Sequence, residues 1–163
     1  MFKLIIFDLD GTIWDHEDIS SLKLPFHKVS DNIIIDSNGV IVKLHPHVHE
    51  VLNELYNMNI CLTIASWNNW DHAYNALKAF NLIKYFKYIA IENHPRKHEL
   101  IAKIINWYKE SFSEIDFSEI LYIDDRTIHL NDIYSNIGPI KFIQMWIDIK
   151  SYHELLNLIK QEQ

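Results

Sequence analysis

Short apolar runs rich in β-branched residues alternate along this chain with stretches whose apolar residues recur at helical spacing, and that alternation closes off most folds. KLIIFD (3–8), ICLTIA (60–65), EILYID (119–124) and, less cleanly, PIKFIQ (139–144) read as strands covered on both faces. Between them, Val48, Val51, Leu52 and Leu55 mark one apolar helical face, and Ala73, Ala76, Leu77 and Phe80 a second. Leu100, Ile101, Ile104, Ile105 and Tyr108 mark a third, and Leu155, Leu156 and Ile159 a fourth. Strands that alternate with helices predict an α/β protein, an open parallel sheet with helices on both faces. One segment breaks the rhythm. NIIIDSNGVIVKL (32–44) sets two β-rich runs around Ser-Asn-Gly, where Asn38 and Gly39 suit a turn that needs positive φ, so a small β-hairpin flap is expected over about 31–45.

With 163 residues, 48% of them hydrophobic, the chain is sized for a single domain over 1–163 with a substantial core. Its net charge of −7 and scattered basic residues give no footprint for gripping nucleic acid and no polybasic arm for a membrane. An anionic ligand has to be held locally. Cys61 is the single cysteine and has no internal disulfide partner. The N-terminus runs straight into a strand pattern without a secretory leader, and no apolar stretch approaches the roughly 20 residues that span a bilayer. A cytoplasmic setting is expected.

Ligands of open α/β sheets bind at the carboxyl ends of the strands, so the residues just after each run are the ones to collect. The first delivers Asp8 and Asp10, in FDLDGT; the second delivers Ser66, in ASWNN; the third delivers Asp124 and Asp125, in YIDDR. Lys97 opens the helical pattern between the last two. Carboxylates gathered in this way repel one another and resist desolvation unless a cation joins them, and an all-oxygen donor set favours a hard ion such as Mg²⁺. Mg²⁺ and Lys97 together would supply the positive charge that lets a phosphate dianion join the cluster. Hydrolysis of a phosphate monoester requires accelerations approaching 10²¹, on the order of 20 kcal/mol or more, so metal, lysine, hydroxyl and backbone donors must act together.

These residues, in this order, resemble the four motifs of the haloacid dehalogenase (HAD) superfamily of aspartyl phosphotransferases. FDLDGTIW, LHPHVHEVLNEL, ASWNN, the Lys97 helix and YIDDRTIHLNDI are similar to the magnesium-dependent phosphatase (MDP-1-like) branch over nearly the whole chain. The resemblance implies a HAD-like, Rossmann-like α/β/α fold and roles for matching residues. Asp8 becomes the nucleophile and forms an aspartyl phosphate; Asp10 protonates the leaving oxygen and then activates water. Mg²⁺ is held by the Asp8 carboxylate, the Asp10 backbone carbonyl and the Asp125 side chain. Asp124 orients either Lys97 or a metal-bound water. Ser66, Lys97 and the backbone around Leu9 and Trp67 contact phosphate oxygens. Relatives of this branch often carry arginine where this chain has Trp67, which removes one charged contact. The short intervals between motifs leave no room for a large cap, so a mostly open site is expected. It would admit a phosphorylated small molecule or phosphoprotein side chain, and the branch is linked to phosphotyrosine and to sugar phosphates.

Other readings stand beside these. A phospho-ligand scaffold without turnover, or an accessory domain for phosphoryl or acyl transfer, would keep the same fold. Ser66 also reads as a helix N-cap. His45, His47 and His49 alternate as a zinc motif would, but Pro46 predicts a helix start that splays the three rings. Trp14 reads as packing, and Arg96 and Arg126 as solvated surface charge.

Overall fold

The computed structural model describes residues 1–163. In chain order the elements are β1 (Leu4–Phe7), β2 (His27–Ser30), β3 (Ile33–Ile35), β4 (Ile41–Lys43), α1 (Val48–Asn57), β5 (Cys61–Trp67) and α2 (Trp70–Ala79). There follow β6 (Phe86–Glu92), α3 (Lys97–Ser111), β7 (Ile120–Asp124), α4 (Leu130–Asn136), β8 (Lys141–Gln144) and α5 (Tyr152–Gln161). Five strands form one sheet in the order β6-β5-β1-β7-β8, and all its pairings are parallel. This is the expected open α/β architecture.

The side-chain period of two divides β1 between two cores. Ile5 and Phe7 face one layer with the apolar stripes of α1, α2 and α5; Leu4 and Ile6 face the other with those of α3 and α4. All four side chains are fully buried, and each contributes roughly 1.5–3 kcal/mol of transfer free energy. The chain runs from β1 outward through β5 to β6, then crosses back to place β7 on the other flank of β1. The order reverses beside β1, so a crevice opens at its carboxyl end.

The flap is larger than the hairpin read from sequence. β3 and β4 pair antiparallel as expected, and β2 joins as a third strand. Every residue of HKVS in β2 is exposed, so no apolar pattern announces it. At the β3–β4 turn Gly39 alone takes positive φ (83°), not Asn38. Asp36 organises that turn instead: its Oδ1 accepts the N–H groups of Asn38 (2.9 Å) and Val40 (2.8 Å). Helix α4 also went unread, because only Ile133 of its seven residues is buried.

Candidate active site

The strands bring the collected residues to one place. β1 ends at Phe7, and the Asp8 N–H continues the ladder to Ile123 O (2.9 Å), so Asp8 sits rigidly beside the end of β7. The ligand oxygens of Asp8, Asp124 and Asp125 lie within 4.8 Å of one another. Lys97 reaches into this triad from the first turn of α3. Its Nζ donates to Asp8 Oδ1 (2.7 Å) and Ala65 O (3.1 Å) and lies 3.5 Å from Asp124 Oδ2, with the side chain 1% exposed. A lysine at a helix N-terminus opposes the dipole, and here the carboxylates offset that cost.

The electrostatics of the cluster follow from burial. Desolvation pushes the Asp8 carboxyl well above the usual carboxylate range against the pull of Lys97, and Asp124 adds to the push. Burial also raises Asp125, reinforced by Asp124. Burial would raise Asp124 too, but Lys97, the Tyr122 hydroxyl and the Arg126 N–H outweigh it and hold its carboxyl below the ordinary value. Lys97 stays charged, because Asp8 and Asp124 overcome the burial that would lower it. One ammonium thus faces three carboxylates. The imbalance and the hard oxygen donors fit a dication such as Mg²⁺.

Asp10 is kept apart from this triad. Its Oδ1 accepts from Trp14 Nε1 (2.7 Å) and the Ile19 N–H (3.1 Å), and its Oδ2 accepts from Asn68 Nδ2 (2.8 Å). Burial raises its carboxyl to about 6 despite these donors, so it exchanges a proton near neutral pH. Trp14 is fully buried, as the packing reading expects, but its indole N–H also fixes Asp10.

Ser66 is buried and lies within β5 rather than after it, since that strand runs on to Trp67. Its Oγ is 3.4 Å from Asn68 Nδ2. It does not cap α2: Asn69 holds that position and accepts the His72 N–H. Trp67 is 42% exposed and turns its ring towards buried His129 at 6.4 Å between centroids. Leu9 buries its side chain completely, leaving only its backbone to the site. Arg96 pairs with Glu99 on the surface, whereas the Arg126 backbone, not its guanidinium, touches the cluster.

Several residues that the sequence reading passed over tie the site together. The Thr12 hydroxyl lies 3.2 Å from both Asp8 Oδ2 and Asp125 Oδ1 and accepts the Asp125 N–H (3.1 Å). Tyr152, from α5, donates to Thr12 O (2.6 Å), and Trp146 Nε1 donates to Gly11 O (2.8 Å). Gly11 takes φ 72°, and a Cβ there would meet Asp125 Oδ2 at 2.5 Å. Thr12 stands four residues after Asp8, Trp14 four after Asp10 and Asn68 two after Ser66. Such local spacing was the available signal.

Comparison with known proteins places this chain among phosphatases. The profile of the Acid Phosphatase family matches residues 1–143. The human protein Magnesium-dependent phosphatase 1 is 32% identical over 138 residues, covering 83% of this chain and 74% of its own. A HAD-superfamily hydrolase from Ehrlichia chaffeensis superposes with a TM-score of 0.71 at 15% identity, covering 99% of this chain and 98% of its own. The N-terminal part of a Bacteroides fragilis protein, containing a phosphatase domain and solved in complex with Mg, superposes at 0.62 with 17% identity. It covers 97% of this chain and 40% of that one. At these identities the two structures speak to the fold.

Proposed function

Since this chain belongs to the Acid Phosphatase family, within the HAD superfamily, we propose that it is a magnesium-dependent phosphatase that hydrolyses phosphate monoesters by way of a phosphorylated Asp8. The carrying observation is the separation of the two aspartates. Asp8 lies in the carboxylate triad with Lys97 at 2.7 Å, while Asp10 is held outside it by three donors, its carboxyl raised by burial to about 6. One carboxylate is thereby kept as a nucleophile and its neighbour as a proton carrier.

In the first half-reaction an Asp8 oxygen forms a bond to phosphorus as the ester oxygen departs, and Asp10 gives that oxygen its proton. In the second, Asp10 takes a proton from water as the water oxygen attacks phosphorus; the Asp8–phosphorus bond breaks and inorganic phosphate leaves. Lys97, the Ser66 hydroxyl and backbone N–H groups near Leu9 and Trp67 hold the phosphoryl oxygens. Asp8, Asp125 and the Asp10 carbonyl would hold Mg²⁺, which supplies charge neutralisation between carboxylate and phosphate. Asp124 keeps Lys97 aimed, consistent with its contacts to Lys97, Tyr122 and the Arg126 N–H. A scaffold without turnover does not need a proton carrier positioned in this way.

Exposed Trp67, next to Ser66, together with exposed Trp70 stacked on Tyr74 at 4.9 Å, favours leaving groups with a flat apolar face, such as phosphotyrosine, over sugar phosphates. The flap and the short connections leave such a substrate room. Turnover of an aryl phosphate should require Mg²⁺ and vanish in Asp8→Asn. Asp10→Asn should slow both half-reactions and leave phosphoenzyme that can be trapped. Activity persisting in Asp8→Asn overturns the nucleophile, and sugar phosphates hydrolysed with higher kcat/KM than phosphotyrosine peptides overturn the substrate preference.

A further inference from the structure

The three histidines of His-Pro-His-Val-His do diverge. His45 packs on Trp146 with ring centroids 4.2 Å apart, and His49 Nε2 lies 2.8 Å from Asp31 O. His47 goes elsewhere: it meets Glu50 in the first turn of α1 and His153 at the start of α5. We propose that His47, Glu50 and His153 form a binding site for a first-row transition dication, with Zn²⁺ foremost, that clips α1 to α5.

The geometry already approximates a coordination sphere. His47 Nδ1 lies 3.2 Å from Glu50 Oε2, and His153 Nε2 lies 3.3 Å from Glu50 Oε1, with the three ligand groups within 4.8 Å of one another. Ordinary N–H···O bonds cluster at about 2.9–3.0 Å. Ligands held about 2.0–2.1 Å from a tetrahedral zinc stand roughly 3.3–3.4 Å apart. The two imidazoles stack at 3.9 Å, and each brings one nitrogen to a different oxygen of the Glu50 carboxylate. His47 takes the left-handed conformation (φ 70°), uncommon for a residue with a side chain, and its ring makes no capping bond to α1.

Donor chemistry separates this site from the catalytic one. Two neutral nitrogens and a carboxylate suit a borderline ion, whereas the buried triad of oxygens suits a hard one. As the ion enters, each neutral imidazole shifts its proton, by way of solvent, to the ring nitrogen facing away from Glu50, and the lone pair freed on the near nitrogen binds the metal. The side chains are 47%, 60% and 47% exposed, so water can complete the coordination. The site lies at the amino ends of two helices that pack against each other, and a bound ion would fasten the last helix to the first.

The test uses the whole chain, stripped with chelator and then kept in saturating Mg²⁺ so that the catalytic carboxylates are occupied. Titration with Zn²⁺ followed by calorimetry should show uptake of one ion, and Tm should rise by roughly 5–10 °C at Zn²⁺ a hundredfold above its dissociation constant. Co²⁺ should give the visible absorption of a tetrahedral site. His47→Ala/His153→Ala and Glu50→Gln, checked for native circular dichroism, should each bind Zn²⁺ at least roughly tenfold more weakly and lose most of the Tm rise. His49→Ala should behave as wild type. Equal uptake in the double variant, equal loss in His49→Ala, or no uptake by the wild type overturns the proposal.

Discussion

Replacing Trp14 with phenylalanine isolates one hydrogen bond to Asp10, the proton carrier of the proposed reaction. The indole N–H lies 2.7 Å from Asp10 Oδ1 in a fully buried position, so it stabilises the ionised carboxylate. A hydrogen bond to a charged group contributes about 1.5–3 kcal/mol, equivalent to roughly 1–2 pH units in a titration. The Ile19 N–H and Asn68 Nδ2 remain and can tighten, which favours the lower figure. Removing the donor therefore raises Asp10 from its value of about 6 by roughly one pH unit. Asp10 must be protonated to release the leaving group, so kcat/KM declines as pH rises through its titration. In Trp14→Phe that declining limb should move to higher pH by roughly one unit. Mg²⁺ near the site acts on both proteins alike, so the difference between the two profiles is the quantity to measure. The substitution also empties part of a core position stacked 6.1 Å from Phe80, at a cost of roughly 1–3 kcal/mol in urea unfolding. If the variant folds and its declining limb does not move, the indole does not govern Asp10.

Further substitutions probe the rest of the site. Lys97→Met leaves buried carboxylates unpaired, and in metal-free protein it should lower unfolding stability by roughly 3–5 kcal/mol as well as abolish turnover. Gly11→Ala drives a Cβ against Asp125 and should sharply weaken both activity and Mg²⁺ dependence, whereas Gly39→Ala meets open space at φ 83° and should lose about 1 kcal/mol of stability without loss of activity. Burial lowers His129 to about 4 from 6.5, with Lys97 adding to the effect. The unfolded chain takes up that proton first, so His129 contributes stability that is complete above about pH 6.5 and is lost as pH falls towards 4. His129→Gln should remove about 1–3 kcal/mol of that loss, measured by urea unfolding at pH 7 and pH 5.

What the sequence made legible was what depends on local pattern. The runs that became β1, β5 and β7 are rich in β-branched residues and buried on both faces, whereas edge strand β8 is only part-buried, and strand ends in such a sheet converge, so Asp8, Ser66, Asp124 and Asp125 could be collected without coordinates. Lys97 followed from its place at a helix start. Hidden from that reading were elements with little apolar surface, such as exposed β2 and the short α4. The direction of polar side chains was hidden too. The spacing of Trp14 after Asp10 hints at contact, but nothing in the order of residues says that its N–H turns to one carboxylate oxygen while Asn68, just past the end of β5, reaches the other, because those aims are fixed by tertiary packing. Pro46 announced that the alternating histidines diverge, but nothing near them announced that His47 would meet His153, on α5.

The bond from Tyr152 to the Thr12 carbonyl bears on how this protein comes into being. The loop that carries Asp8 takes one of its braces from a residue 140 positions beyond Thr12 along the chain. During synthesis that brace forms only after residue 152 has been added, so a chain cut short of α5 carries Asp8 on a loop that lacks it.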